Sequence, residues 1–166
     1  MTKPAQQYFL KGKEAKKLFE EFGQKYKIHI QNFLNMKMQV QLIKTNNLTF
    51  YAINKRPILV KYDKELFPTL LFDEALSHLP KVVVNMGAIQ HICNGADIMA
   101  PGIVRVEGKF GKDDLVLVVD EKYEKTLAVG LALIDSETLA STTHGKILKN
   151  IHYVGDKIWN KMKLRH

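Results

Sequence analysis

The chain of 166 residues is 46% hydrophobic and 25% charged with a formal net charge of +8, which excludes collagen-like, low-complexity and disordered chains and allows either one domain or two small ones. Its single cysteine, Cys93, excludes an internal disulfide and a cysteine-rich zinc site. Apolar runs such as residues 115–119 fall far short of the ~20 residues of a membrane span, and Lys3, Pro4, Gln6 and Gln7 stand where a secretory signal has its apolar core, so a cytoplasmic protein with no membrane partner is expected.

Residues 13–26 place Ala15, Leu18, Phe19, Phe22 and Tyr26 on one helical face and Lys16, Lys17, Glu20 and Glu21 on the other. Gly23 leaves the end of this helix open, and residues 32–35 read as a second short helix or a loop. The period then changes to two: Met38, Val40 and Leu42 alternate with Gln39 and Gln41, and Leu48, Phe50 and Ala52 follow Thr45-Asn46-Asn47, which predicts a hairpin. A third strand is expected over 58–62 after a turn at 54–57. Residues 73–78 read as a short helix closed by Pro80. The domain boundary is placed near Leu79, giving domains 1–79 and 80–166.

Residues 82–84 predict a short strand, followed by a compact helix with Ala88, Ile89, Ile92 and Cys93 inward, Asn85 as its cap and Gly95 as its stop. Strands are expected over 102–106, 115–120, 126–134 and 149–154, punctuated by glycines in the manner of a small barrel or sandwich. A helix over 136–140 has Ser136 as its expected cap, and a terminal helical turn begins at 157.

Charge is unevenly spread along the chain. Residues 1–80 carry thirteen basic and seven acidic side chains, net +6, against twelve and ten, net +2, in 81–166. Within the second half, 107–137 is net −4 and 138–166 is net +5. Such segregation fits a basic face for a polyanion with an acidic back, although a lysine-rich solvated surface reads the same way.

The second half carries an ordered motif series: VVVNMGAIQHICNGADIM at 82–99, APGIVRV at 100–106, AVGLALI at 128–134 and GKILKNIHYVGDKIW at 145–159. It resembles a PUA domain, the RNA-binding module named for pseudouridine synthases and archaeosine transglycosylases. FLKGKEAKKLFEEF at 9–22 and LFPTLLFDEALSHLP at 66–80 are similar to the pre-PUA region of the malignant-T-cell-amplified-sequence and ligatin translation factors. The resemblance implies an α+β fold, with an amino-terminal α/β pre-PUA domain followed by a carboxy-terminal PUA β-barrel with short helices. Two departures stand out: Asn85 replaces a common aspartate, and Ile147 replaces a glycine two residues after Gly145.

The resemblance implies a non-catalytic RNA-binding protein of the translation apparatus, gripping RNA through Gly95, Ala96, Asp97, Ile98, Met99, Pro101 and Gly102 on one side and Gly145, Lys146 and Lys149 on the other. The implied RNA is a tRNA acceptor end or small-subunit rRNA, and the implied assembly is the small ribosomal subunit. The alternative is an adaptor whose pre-PUA surface docks an initiation-factor-like protein. Read from the residues alone, Gly95 and Gly102 either bare backbone N–H groups to RNA or merely permit tight turns. Ile98 and Met99 offer an apolar platform for a base, with one of them turned into the core because strand neighbours face opposite ways. Lys157, Lys161, Lys163 and Arg165 extend the positive charge, while Tyr153 and Trp159 read as stacking groups or core plugs. Gly95→Val is expected to block RNA approach.

Catalysis finds little support. His91, Cys93 and Asp97 lack a surrounding nucleophile motif, and Cys93 reads as a packed thiol. No Walker loop, GxGxxG, HExxH or CxxC occurs, and the six histidines lack ligand spacing, so neither metal nor cofactor is expected. The acidic pairs, including Asp120-Glu121, are expected in solvated turns.

Overall fold

The computed structural model describes residues 6–29 and 39–163. The chain forms two compact units, one running up to Ala75 and resuming at Met162, the other spanning Leu76–Lys161. The fold is α+β. The expectations for Met38, for residues 32–35 and for Arg165 lie outside the described residues.

The first unit is an antiparallel meander of β1 (Gln6–Phe9), β2 (Val40–Lys44), β3 (Leu48–Ile53), β4 (Arg56–Tyr62) and β5 (Glu65–Pro68), in that spatial order, with helix α1 (Gly12–Tyr26) and the short α2 (Asp73–Leu76). Helix α1 buries Ala15, Phe19, Phe22 and Tyr26, as its 3.6-residue period dictates, and Phe22 stacks on Phe72 with ring centroids 6.0 Å apart. Gly23 does not end the helix. It is buried, and the helix continues to Tyr26 and stops where Lys27 turns left-handed at φ 56° and donates its N–H to the Gly23 carbonyl. Tyr26 donates its hydroxyl to Leu66 O, and Lys25 pairs with Glu65, so this end of the helix is fastened to β5. Two-residue turns join β3 to β4 and β4 to β5. Asn54 and Lys55 have φ of 52° and 67°, and Asp63 and Lys64 have 47° and 69°, the double left-handed conformation that matches strand twist in a tight hairpin.

The second unit contains β6 (Lys81–Val84), a 3-10 turn (Met86–Ala88) leading into α3 (Ile89–Ile92), β7 (Ile98–Met99), a second 3-10 turn (Ala100–Gly102), β8 (Ile103–Glu107), β9 (Leu115–Asp120), β10 (Thr126–Ala132), α4 (Ser136–Ala140), β11 (Lys146–Tyr153) and α5 (Lys157–Lys163). Its sheet has the order β7-β11-β10-β9-β6-β8, antiparallel except between β6 and β9. Every residue of β9 is buried, and Val82, Val84, Ile92, Ile98, Val116, Val118, Ala128 and Leu148 belong to one core. The glycine of the AVG motif has a packing cause. A Cβ at Gly130 would lie 3.0 Å from Leu148 Cβ, so only glycine lets β10 and β11 approach at this bulge.

Three local expectations are corrected. The cap of α4 is Asp135, whose carboxylate accepts from Thr138 N at 2.6 Å; Ser136 instead accepts from Phe110 N at 3.1 Å. Asp120 is not solvated. It is 2% exposed and accepts the N–H groups of Lys122, Tyr123 and Lys125 at 2.9, 2.5 and 3.0 Å. The Tyr123 bond foremost holds its carboxyl below the usual aspartate range. The last strand begins at Lys146, three residues earlier than expected, because Lys146 and Leu148 pair with Met99 and Ile98 of the two-residue β7.

The closing I-H-Y-x-x-D-x-x-W series is a structural lock. The Asp156 carboxylate accepts from Trp159 N at 2.7 Å and Tyr153 N at 2.9 Å, and meets the fully buried His152 ring at Nδ1, 2.8 Å away. Burial pushes the Asp156 carboxyl up, but the His152 contact and the two N–H groups outweigh it and leave the group below its ordinary value.

Candidate nucleic-acid interface

At the carboxyl end of β6 the chain is held from both sides. Asn85 donates its N–H to Gly102 O at 2.9 Å, and its side-chain oxygen accepts from Ala88 N at 2.9 Å, capping the 3-10 turn. The GA element and the PG turn therefore form facing walls. Between them lies a cleft of about 420 Å³, lined by Val84, Asn85, Gly87, Ala88, His91 and Ile92 on one side and Ala96, Asp97, Ile98, Met99, Pro101 and Gly102 on the other. Its size is that of a small-ligand site. Replacing Asn85 by alanine removes the cap and lowers stability by ~1 kcal/mol, read as a shift of the unfolding midpoint.

The loop between α3 and β7 is pinned by one side chain on β11. Asn150 Nδ2 donates to Ile92 O and Ala96 O, both at 3.0 Å, while its backbone N–H donates to Asp97 Oδ1 at 2.9 Å. Across the rim, Lys146 Nζ lies 3.3 Å from Asp97 Oδ2. Gly145 O accepts from Ala100 N at 2.9 Å, which ties the start of β11 to the PG turn.

The expected site residues separate accordingly. Ala96, Asp97, Ile98, Met99, Pro101 and Gly102 line the cleft, Lys146 stands at its rim, and Gly145 does not line it but holds the PG turn through its carbonyl. Lys149 is exposed farther along β11, where its Cα partner is Leu131, and it does not line the cleft. Of the two platform candidates, Ile98 is 1% exposed within the core, while Met99 is 43% exposed. Gly95 faces a different constraint. Its φ is +96° and a Cβ would come within 3.1 Å of Tyr153 Oη, so its glycine serves the loop, and Gly95→Val strains the fold before it can block a ligand. Gly102 has no such φ, and a Cβ there meets only Ala88 Cβ at an ordinary 3.4 Å. Ile147 is 1% exposed, so the residue that replaces the expected glycine is a core side chain.

Sequence reasoning treated Asn85 as a cap alone and left Gly87, Ala88 and His91 out of the site. The signal for Gly87 and Ala88 was the GA pair at 87–88, repeated at 95–96 on the facing wall. His91 carried none. Cys93 is half-buried, and burial pushes its thiol up, which disfavours a nucleophilic thiolate.

The PUA domain family matches residues 80–154, and the domain of unknown function (DUF1947) matches 6–72. Translation machinery-associated protein 20 from Eremothecium gossypii is 30% identical over 152 residues, covering 87% of this chain and 83% of that protein. The chain belongs to the translation machinery-associated protein 20 family of PUA-domain proteins. An uncharacterised protein from Methanocaldococcus jannaschii is 39% identical over 154 residues, 92% of this chain and 94% of its own. Among solved structures, a PUA-domain protein from Aeropyrum pernix, crystallised as a tartrate complex, superposes with a TM-score of 0.84 at 25% identity, covering 96% of this chain and 91% of its own. The cleft lies wholly within the PUA domain, and the GA-helix-GA-x-x-x-x-PG element supplies both of its walls.

Proposed function

We propose that this protein is a non-catalytic RNA-binding protein of the translation apparatus whose PUA cleft receives a nucleotide of a structured RNA, either a tRNA acceptor end or small-subunit rRNA. The observation that carries the reading is the cleft itself: a concave, mainly apolar site with a lysine at its rim, in a chain whose net charge is +8. Such a site suits an unstacked base with its phosphate outside, because apolar walls take the base while the cation takes the charge.

Salt dependence tests it. Each phosphate contact on a single strand contributes ~0.7 to the slope of log affinity against log salt, because the contact releases condensed counterions. Replacing Lys146 and Lys149 together by alanine is expected to flatten the slope by about 1 for a tRNA acceptor mimic and to weaken binding across different sequences about equally. An unchanged slope and affinity would remove these lysines from the RNA path.

The second reading, an adaptor for an initiation-factor-like protein, draws on β1. All four of its residues are exposed, including Tyr8 at 53% and Phe9 at 59%, on an edge strand of the first sheet. An edge with exposed aromatic side chains is suited to a protein partner. Loss of partner binding in a Tyr8→Ala, Phe9→Ala variant that keeps RNA affinity would assign the two roles to separate units.

A further inference from the structure

The cleft has an unexpected charge for a polyanion site. Among the described residues no lysine or arginine lines it, and the carboxylate in its lining is that of Asp97. A phosphate inside would face that carboxylate without a compensating cation, so the part of a nucleotide that enters must be uncharged. Asp97 is fixed in place: Oδ1 accepts from Asn150 N at 2.9 Å, and Oδ2 lies 3.3 Å from Lys146 Nζ. Each carboxylate oxygen has two acceptor sites, and the side chain retains 28% exposure, so acceptor capacity remains after both contacts. Lys146 is 63% exposed on the outer side of the pair.

Building on the RNA-binding reading above, we propose that Asp97 makes the cleft selective for a base bearing an exocyclic amino group, with Lys146 holding the adjoining phosphate. A carboxylate only accepts hydrogen bonds. Cytosine offers it the N4 amino group, whereas uracil presents the O4 carbonyl at the same place, and two acceptors facing each other lose their water without gaining a bond. Val84, Ala88, Ile92 and Met99 in the rest of the lining are apolar and do not distinguish the two pyrimidines. Of its polar side chains, Asn85 has its oxygen taken by Ala88 N, and the imidazole of His91 carries both a donor and an acceptor when neutral and so can serve either base. The Asp97–Lys146 pair thus orients the strand: base inward on the carboxylate, phosphate outward on the ammonium.

The test compares fluorescein-labelled oligocytidylate and oligouridylate of five nucleotides by fluorescence anisotropy, with the full chain and its Asp97→Asn variant. The variant keeps an oxygen to accept from Asn150 N but adds an amide donor that can serve a carbonyl. The full chain is expected to favour oligocytidylate roughly 10-fold, and the variant to bring the two within about 2-fold while still binding both. Equal binding of the two by the unaltered chain overturns the inference and leaves RNA binding standing, and this arm needs no variant to fold. A preference that survives Asp97→Asn, with an unchanged unfolding midpoint, also overturns it. Binding of neither oligonucleotide, nor of the tRNA acceptor mimic, overturns the RNA-binding reading on which it rests.

Discussion

Gly102→Val is expected to reduce RNA affinity at least ~10-fold while leaving the unfolding midpoint within about 1 kcal/mol of the unaltered protein. The argument is geometric. Gly102 does not need left-handed backbone, and a Cβ there stands at an ordinary 3.4 Å from Ala88 Cβ on the opposite wall of the cleft. Both residues line the cleft, so the two further carbons of valine are expected to narrow it where a base would have to lie. Because no charge is removed, the salt slope of any residual binding should match the unaltered protein, which separates this variant from the double-lysine one. Affinity that survives Gly102→Val in a folded protein, judged by circular dichroism, would move the RNA away from this cleft. The same experiment at Gly95 is uninformative, because its φ of +96° and the nearby Tyr153 hydroxyl penalise any side chain before RNA is added.

Asp156→Ala is expected to cost about 3 kcal/mol at neutral pH. One carboxylate caps α5, ties down Tyr153 N and meets the buried His152 ring, so its removal strips a helix cap, frees a backbone N–H and deletes a contact to a fully buried imidazole. Against a typical stability of about 5–15 kcal/mol this is a large fraction. The pH dependence follows from the depressed carboxyl of Asp156. A group whose pKa is lower folded than unfolded contributes stability that is complete above the ordinary aspartate value near 3.9 and is lost as pH falls through the lower folded value. The gap in urea midpoint between Asp156→Ala and the unaltered chain should therefore be full at pH 7 and narrow below about pH 4. A gap of equal size at both ends would show that the charge of Asp156 adds nothing.

Elements with strong periodicity were legible in the sequence, and so were those with a defined cap. Helix α1 follows from apolar residues at helical spacing, β9 from an unbroken apolar run, and the turn into α3 from Asn85, whose side chain caps it as expected. Strand β1 was not legible, because all four of its residues are exposed and its sequence has no alternation to read. Strand β5 follows a turn of Asp63 and Lys64, a pair without the glycine that marks most such turns. Asp120 was misread, and Asp135 was passed over as a cap in favour of Ser136, for a related reason: whether a carboxylate in a turn meets water or backbone N–H groups depends on how the chain folds back around it.

The sequence by itself determined the order of the motif series and, through the resemblance those motifs carry, the family and its α+β class, since residues at fixed spacing along the chain mark a motif before any contact is known. It also located the GA and PG walls of the candidate site. Only the tertiary structure decided that Gly95 serves its loop while Gly102 faces Ala88 without needing left-handed backbone, that Ile98 turns inward and Met99 outward, and that Asp97 lines the cleft under the hold of Asn150 and Lys146. Asn150 stands 53 residues beyond Asp97 in the chain, and Gly102 and Ala88 are brought face to face by separate turns. Contacts of this range are set by strand pairing and core packing, which no local spacing encodes.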